Sequence, residues 1–147
     1  MKILIINSGS SSIKFQIILM PTEELICSGG IERIGHNDAI FKYSTSNTVV
    51  EETERIASHK EGLQKVVEQL LDPEKGVIKN TNEINAVGHR VVHGGNSFSE
   101  TTLITAEVKQ KIQDYSQLAH LHNPNNLAGI VVAEELFPLA QQIAIFD

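Results

Sequence analysis

The sequence predicts an α/β protein, a mixed β-sheet with flanking helices, on three observations. Short strand-like runs fill its first third, and helix then alternates with strand to the end. Two segments carry explicit helix-start signals, Ser58-His59-Lys60-Glu61 and Asn123-Pro124. Third, a polar loop, Asn7-Ser8-Gly9-Ser10-Ser11-Ser12, sits between two apolar runs, so the chain folds back there as a hairpin.

Lys2–Ile6 is a short continuous apolar strand and Ile13–Met20 a second, in which Ile13, Phe15 and Ile17 alternate with Lys14 and Gln16. Pro21-Thr22 turns the chain toward a third strand from about Leu25 to Ile34, and Gly35 to Asp38 form the next turn. Ala39–Tyr43 and Thr48–Glu52 follow, polar enough to be edge-like or half exposed. Ser58 caps a helix whose Leu63, Val66, Val67 and Leu70 recur at i, i+3, i+4 and i+7, with Glu61 reaching back to the Ser58 N–H. Asp72-Pro73 ends it. Glu83–Val92 holds a strand interrupted at Gly88-His89-Arg90. Thr105 caps a helix carrying Val108, Ile112 and Tyr115, and Asn123-Pro124 opens another that runs to about Leu136. Ile143–Phe146 is a last buried strand with Asp147 at its tip, an unusual ending for a domain, so the chain is expected to be cut from a longer one.

Length and charge narrow the possible functions. At 147 residues the chain is one domain, able to bury about two thirds of its unfolded surface. Twelve basic against eighteen acidic residues argue against a nucleic-acid partner. Cys27 is the single cysteine, which excludes an internal disulfide and a thiolate zinc cluster. The opening apolar run is too short for a signal-peptide core, and no stretch is long enough to span a bilayer. A cytoplasmic protein with no membrane partner is therefore expected.

Four places can carry chemistry. The loop offers backbone N–H groups, hydroxyls of Ser10, Ser11 and Ser12, and the nearby Lys14 ammonium, a combination suited to phosphate. On this segment alone it reads more simply as an ordinary β-turn in which Gly9 supplies a positive φ. Arg90 lies among buried-looking residues and so needs an anionic partner, either a bound carboxylate or phosphate or an internal carboxylate. His122 precedes a helix start, where it sits beside an anion site or bonds to backbone. Asp147 ends a strand, the position where open α/β sheets place ligands, or is a simple turn residue. Pairs such as His89 with His93 lack the companion ligands of a zinc site.

Three segments in order, Ile3 to Phe15, Ile84 to Gly95 and Leu121-His122-Asn123-Pro124, closely resemble the acetate kinase family, including its propionate kinase relatives. The resemblance implies a ribonuclease H-like, actin-like ATPase fold, with residues 1–147 forming the N-terminal domain of a two-domain kinase whose C-terminal domain is absent. It implies ATP/ADP and Mg²⁺ as cofactors and a small carboxylate as substrate, converted reversibly to an acyl phosphate. By motif, Asn7 resembles a magnesium-site residue, and Lys14 with the Gly9, Ser10, Ser11 and Ser12 loop resembles a nucleotide-phosphate contact. Arg90 resembles the carboxylate-holding arginine, and Val92 and Leu121 the walls of the alkyl pocket. His122 and Asp147 resemble catalytic residues. The intact enzyme is expected to be a homodimer, and this chain alone to be inactive. The alternative is a non-catalytic anion-binding or interaction module of the same fold. Two departures stand out. His120 occupies a position where the family commonly has proline, and the family's second histidine, glycine-rich nucleotide loops, second arginine and distal glutamate have no counterpart here.

The chemistry implied is positioning rather than proton abstraction. A carboxylate is ionised at neutral pH, since simple carboxyl pKa values lie near about 4. It needs no general base. Arg90 is expected to orient it toward the transferring phosphorus while metal and cations absorb charge. Asp147 is then expected to organise metal-bound water. Acetate, propionate and butyrate remain equally open as substrates.

Overall fold

The computed structural model describes residues 1–91, 102–103 and 123–146. Among them, eight strands form one sheet in the order β5-β4-β3-β2-β1-β6-β8-β7. β1 (Lys2–Ser8), β2 (Ile13–Leu19), β3 (Glu24–Glu32), β4 (Ala39–Ser44) and β5 (Val49–Glu54) form an antiparallel meander. β6 (Ile84–Val91) then pairs parallel to β1, and β8 (Gln141–Phe146) parallel to β6. The two-residue β7 (Thr102–Leu103) runs antiparallel on the outer side of β8.

Period-2 alternation sorts the side chains. Leu4, Ile6, Ile13, Phe15, Ile17, Ile31, Phe41, Tyr43 and Val87 are buried on one face. Both described helices pack there. α1 (His59–Leu70) lays Gly62, Leu63, Val66 and Leu70 onto the sheet, its Gly62 so close that a Cβ would lie 3.1 Å from Ile31 and 3.2 Å from Ile13. α2 (Asn123–Leu136) approaches β1 through Gly129, where a Cβ would lie 3.0 Å from the Ser8 hydroxyl. Lys60 and Glu135 link the helices at 3.7 Å. No described helix covers the opposite face.

Several local expectations are corrected. Ser58 caps α1, accepting the Glu61 N–H at 3.2 Å, but the Glu61 carboxylate bonds to the Ala57 N–H at 2.9 Å rather than to Ser58. The reciprocal box forms instead between Asn80 and Glu83, ahead of β6. The two strands expected to be edge-like or half exposed divide between those outcomes, with β5 at the sheet edge and β4 half exposed, its Ala39, Phe41 and Tyr43 buried and Lys42 exposed. Gly88 does not interrupt β6, because β1 and β8 hold it by ladder bonds on both sides. The helix expected after Thr105 lies outside the described residues.

One polar pair is buried in this core. His89 is 2% exposed and its Nε2–H donates to the Gln142 side-chain oxygen at 2.7 Å, joining β6 to β8 on the helix-covered face. Burial pushes the imidazole pKa down to about 4, against smaller upward effects of the Gln142 bond and the Glu134 charge. The ring is therefore neutral in the folded protein at pH 7.

Two outcomes follow. Because His89 takes its proton less readily folded than unfolded, stability is intact above the unfolded value of 6.5 and falls as pH drops toward 4, by about 3 kcal/mol in all. Urea midpoints between pH 7 and 4 should trace this loss, and His89→Gln should flatten it. A Cβ on Gly29 would lie 2.2 Å from the Lys42 carbonyl oxygen and 2.6 Å from the Phe15 ring. Gly29→Ala should thus lower stability by about 1–3 kcal/mol. Gly30→Ala, whose nearest atom is 3.0 Å away, should cost less in the same titration.

Candidate active site

The loop joining β1 to β2 is a tight hairpin, closed by the Gly9 N–H donating to the Ser12 carbonyl at 2.8 Å. Gly9 is not among the positive-φ glycines. Its role is closeness: a Cβ there would fall 2.6 Å from the Ser12 hydroxyl, which would have to turn away. Two outside groups anchor the loop. The Ile34 N–H donates to the Ser11 carbonyl at 2.9 Å, and the His59 ring Nε2–H donates to the Gly9 carbonyl at 2.7 Å. His59 escaped the sequence reading because a histidine in the first turn of a helix carries no distinctive signal. Ser10 and Ser11 are left exposed and Ser12 half-buried.

Register brings the predicted residues together on the face opposite the helices. Asn7 pairs with Lys14 across the hairpin. Ile6 lies alongside His89 in the parallel β1–β6 pair, so the next residues, Asn7 and Arg90, share a level and a face. Asn7, Lys14, Gln16 and Arg90 line one cavity of about 350 Å³, floored by Ile5. This cavity opens near the carboxyl ends of β1 and β6, where open α/β sheets hold ligands.

Arg90 is not buried, contrary to expectation; it is exposed. The sequence shows apolar neighbours on both sides, but alternation sends Val87 and His89 to the helices while Gly88 and Arg90 face away. Burial cost therefore no longer argues for a partner. What remains is the guanidinium fork, which matches a carboxylate or phosphate in two parallel bonds.

Of the other predicted residues, Val92, Leu121, His122 and Asp147 lie outside the described residues, as do His93, Gly94, Gly95 and His120. The described strands end level with one another, Val91 paired with Phe146. Among the described residues no group of three or more histidine, cysteine or acidic side chains is placed to hold a metal. No described helix is long and apolar enough to cross a membrane.

Comparison with known proteins bears on the family and the fold. A family model described as the acetokinase family matches residues 2–147. An acetate kinase from Flavobacterium johnsoniae is 60% identical over the whole of this chain, which covers 37% of that relative. The crystal structure of Porphyromonas gingivalis acetate kinase matches with a TM-score of 0.94 and 39% identity, over 99% of this chain and 37% of the other. A propionate kinase structure from Francisella tularensis matches at 0.89 with 33% identity, over 99% and 36%. The chain thus spans little more than a third of the relatives it matches, and its mixed sheet is the ribonuclease H-like, actin-like ATPase fold they share. By sequence and by shape together, the chain belongs to the acetokinase family.

Proposed function

We propose that this chain is the N-terminal domain of a phosphotransferase that moves a phosphoryl group between ATP and acetate or a similar short carboxylate, reversibly. The observation that carries the reading is the cavity where Asn7, Lys14 and Arg90 meet beside the serine loop, in a chain of the acetokinase family. The remaining domain is proposed to close over that face and supply the rest of the site, in a cytoplasmic homodimer.

The chemistry asks for charge and alignment. A carboxylate arrives ionised, so the groups it needs are a cation to orient it and cations to absorb the charge of the transferring phosphoryl. Arg90 is the orienting group, its fork taking both carboxylate oxygens or one carboxylate and one phosphoryl oxygen. Lys14 and the loop N–H groups face the donor's phosphates, where partial charges fixed by the hairpin need no rearrangement. His59 and Ile34 hold that loop in shape.

Asn7 fits a magnesium ion as a single oxygen ligand, directly or through water. The described residues build no all-protein cage, and magnesium bound to nucleotide phosphates keeps waters and takes few protein ligands. When bound, it would neutralise phosphate charge and align the donor chain. His122 and Asp147 are proposed as further active-site residues, Asp147 organising metal-bound water rather than abstracting a proton. Val92 and Leu121 are proposed to wall the alkyl pocket.

The test is a hydroxylamine trap for acyl phosphate with ATP, Mg²⁺ and acetate, propionate or butyrate. Full-length protein should give hydroxamate, and its absence would end the kinase reading. Residues 1–147 alone should give none. Arg90→Ala in the full-length protein should lower kcat/KM for the carboxylate by about 10²- to 10³-fold, the usual loss for a preorganised donor at a reacting oxygen. A loss under threefold would remove Arg90 from the site.

A further inference from the structure

The charged row does not stop at Lys14. Following the register outward, Lys14 pairs with Gly30 of β3, and Gly30 pairs with Lys42 of β4. Arg90, Asn7, Lys14, Gly30 and Lys42 therefore form one line across five adjacent strands, all on the face opposite the helices. Gly30 leaves a notch in this line, because it alone presents no side chain. Over the notch lies a second cavity of about 370 Å³, lined by Ser12, Lys14, Ser28, Gly30, Glu32 and Lys42. Lys14 and Gly29 border both cavities, so the two are one trough with Lys14 at its middle.

We infer that the notch over Gly30, between Lys14 and Lys42, is a second anion subsite, so that the trough accepts a chain of linked phosphate groups rather than one phosphate. The reasoning is geometric. Neighbouring strands lie about 4.8 Å apart, which separates the Lys14 and Lys42 backbones by about 10 Å. Each lysine side chain is long enough to reach the midline, so both ammonium groups can contact one phosphate above the glycine. The Ser12 and Ser28 hydroxyls add neutral donors to the lining. A linked phosphate placed on the other side of Lys14 then meets Asn7 and Arg90.

Two carboxylates oppose this, and neither blocks it. Glu51 pairs with Lys42 at 3.8 Å, but both are well exposed, and such pairs contribute little. Glu32, also exposed, lines the notch two residues along β3 and subtracts one charge from the two lysines. Its removal should strengthen binding, which supplies a test of opposite sign.

The inference extends the proposed site but can fail separately from it. The probes are inorganic tripolyphosphate, pyrophosphate and orthophosphate, titrated calorimetrically into the full-length protein without magnesium; ADP and AMP show whether a nucleotide's phosphates use the same trough. Tripolyphosphate should bind at least about tenfold tighter than orthophosphate. Lys42→Gln should weaken tripolyphosphate about tenfold, the low end for one charge-assisted contact, and Glu32→Gln should tighten it. If the ADP affinity falls with Lys42→Gln while that of AMP holds, the subsite serves the nucleotide; if only the inorganic chains respond, it serves condensed phosphate itself. Unchanged tripolyphosphate affinity in both variants overturns the subsite even if the protein makes acyl phosphate. Lys42-dependent binding by a protein that makes none sustains the subsite and removes the kinase reading.

Discussion

The parallel pairing of β1 with β6 is the constraint on which the site rests. These strands are distant in sequence, and nothing local aligns them. Their amino ends are clasped together, and the regular ladder starts one residue on, at Ile3 and Ala86. The Lys2 N–H donates to the Asn85 side chain at 2.9 Å, and the Lys2 ammonium meets Glu83 at 2.9 Å. Glu83 is itself fixed by the Lys79 and Asn80 N–H groups, and the Lys79 N–H, with Lys2 and Asn80 behind it, draws its carboxyl pKa down to about 2. A slip of one residue would turn Arg90 toward the helices and His89 toward the cavity. The clasp holds the amino ends together across a bulge at Asn85, and the regular ladder, from Ile3 with Ala86 to Ile6 with His89, sets which side chain reaches the site.

The two faces divide the work. Burial on the helix side, from Leu4 through Phe41 and Tyr43 to Leu63 and Leu70, supplies the cohesion. On the opposite face Lys14, Lys42 and Arg90 are exposed, where charge is tolerated. Gathering cations there costs little, because two unit charges about 10 Å apart in water repel by only about 0.4 kcal/mol. The same row beneath the helices would carry a desolvation penalty of several kcal/mol per ion. Placing Lys14, Lys42 and Arg90 on the exposed side is therefore the arrangement a modestly stable domain can sustain.

Much of this was legible wherever the signal was local. The Gly/Ser loop between alternating strands, the Ser58 cap with its i, i+3, i+4 stripe, and Asn123-Pro124 all placed their elements, because each feature acts within a few residues. What failed depended on neighbours distant in sequence. Gly88 broke the apparent strand in the sequence, yet ladders on both sides hold it. Arg90 looked buried because its neighbours are apolar, and only knowing which face the helices cover reverses that. β7 was missed since two residues carry no period, and its partner β8 lies some forty residues onward. Lys42 passed unnoticed for a related reason: its place in the row follows from four registers in succession. Acetate kinase motifs supplied roles for single residues but not their arrangement.

The position of His89 bears on the chemistry as well as the stability. It adjoins Arg90 in sequence, and a histidine next to an arginine proposed to hold substrate invites a role as acid or base. The strand's alternation denies it one. The imidazole lies on the far side of the sheet, 2% exposed, its Nε2–H committed to Gln142, with a pKa near 4 that keeps it neutral. It can neither reach the cavity nor exchange a proton with it. What this arrangement leaves at the site among the described residues is a fork, an ammonium, an amide and a rim of hydroxyls and N–H groups. That set orients and neutralises but takes no proton from a carboxylate. For the proposed acceptor, ionised before it binds, orientation and neutralisation are what these residues would be asked to supply.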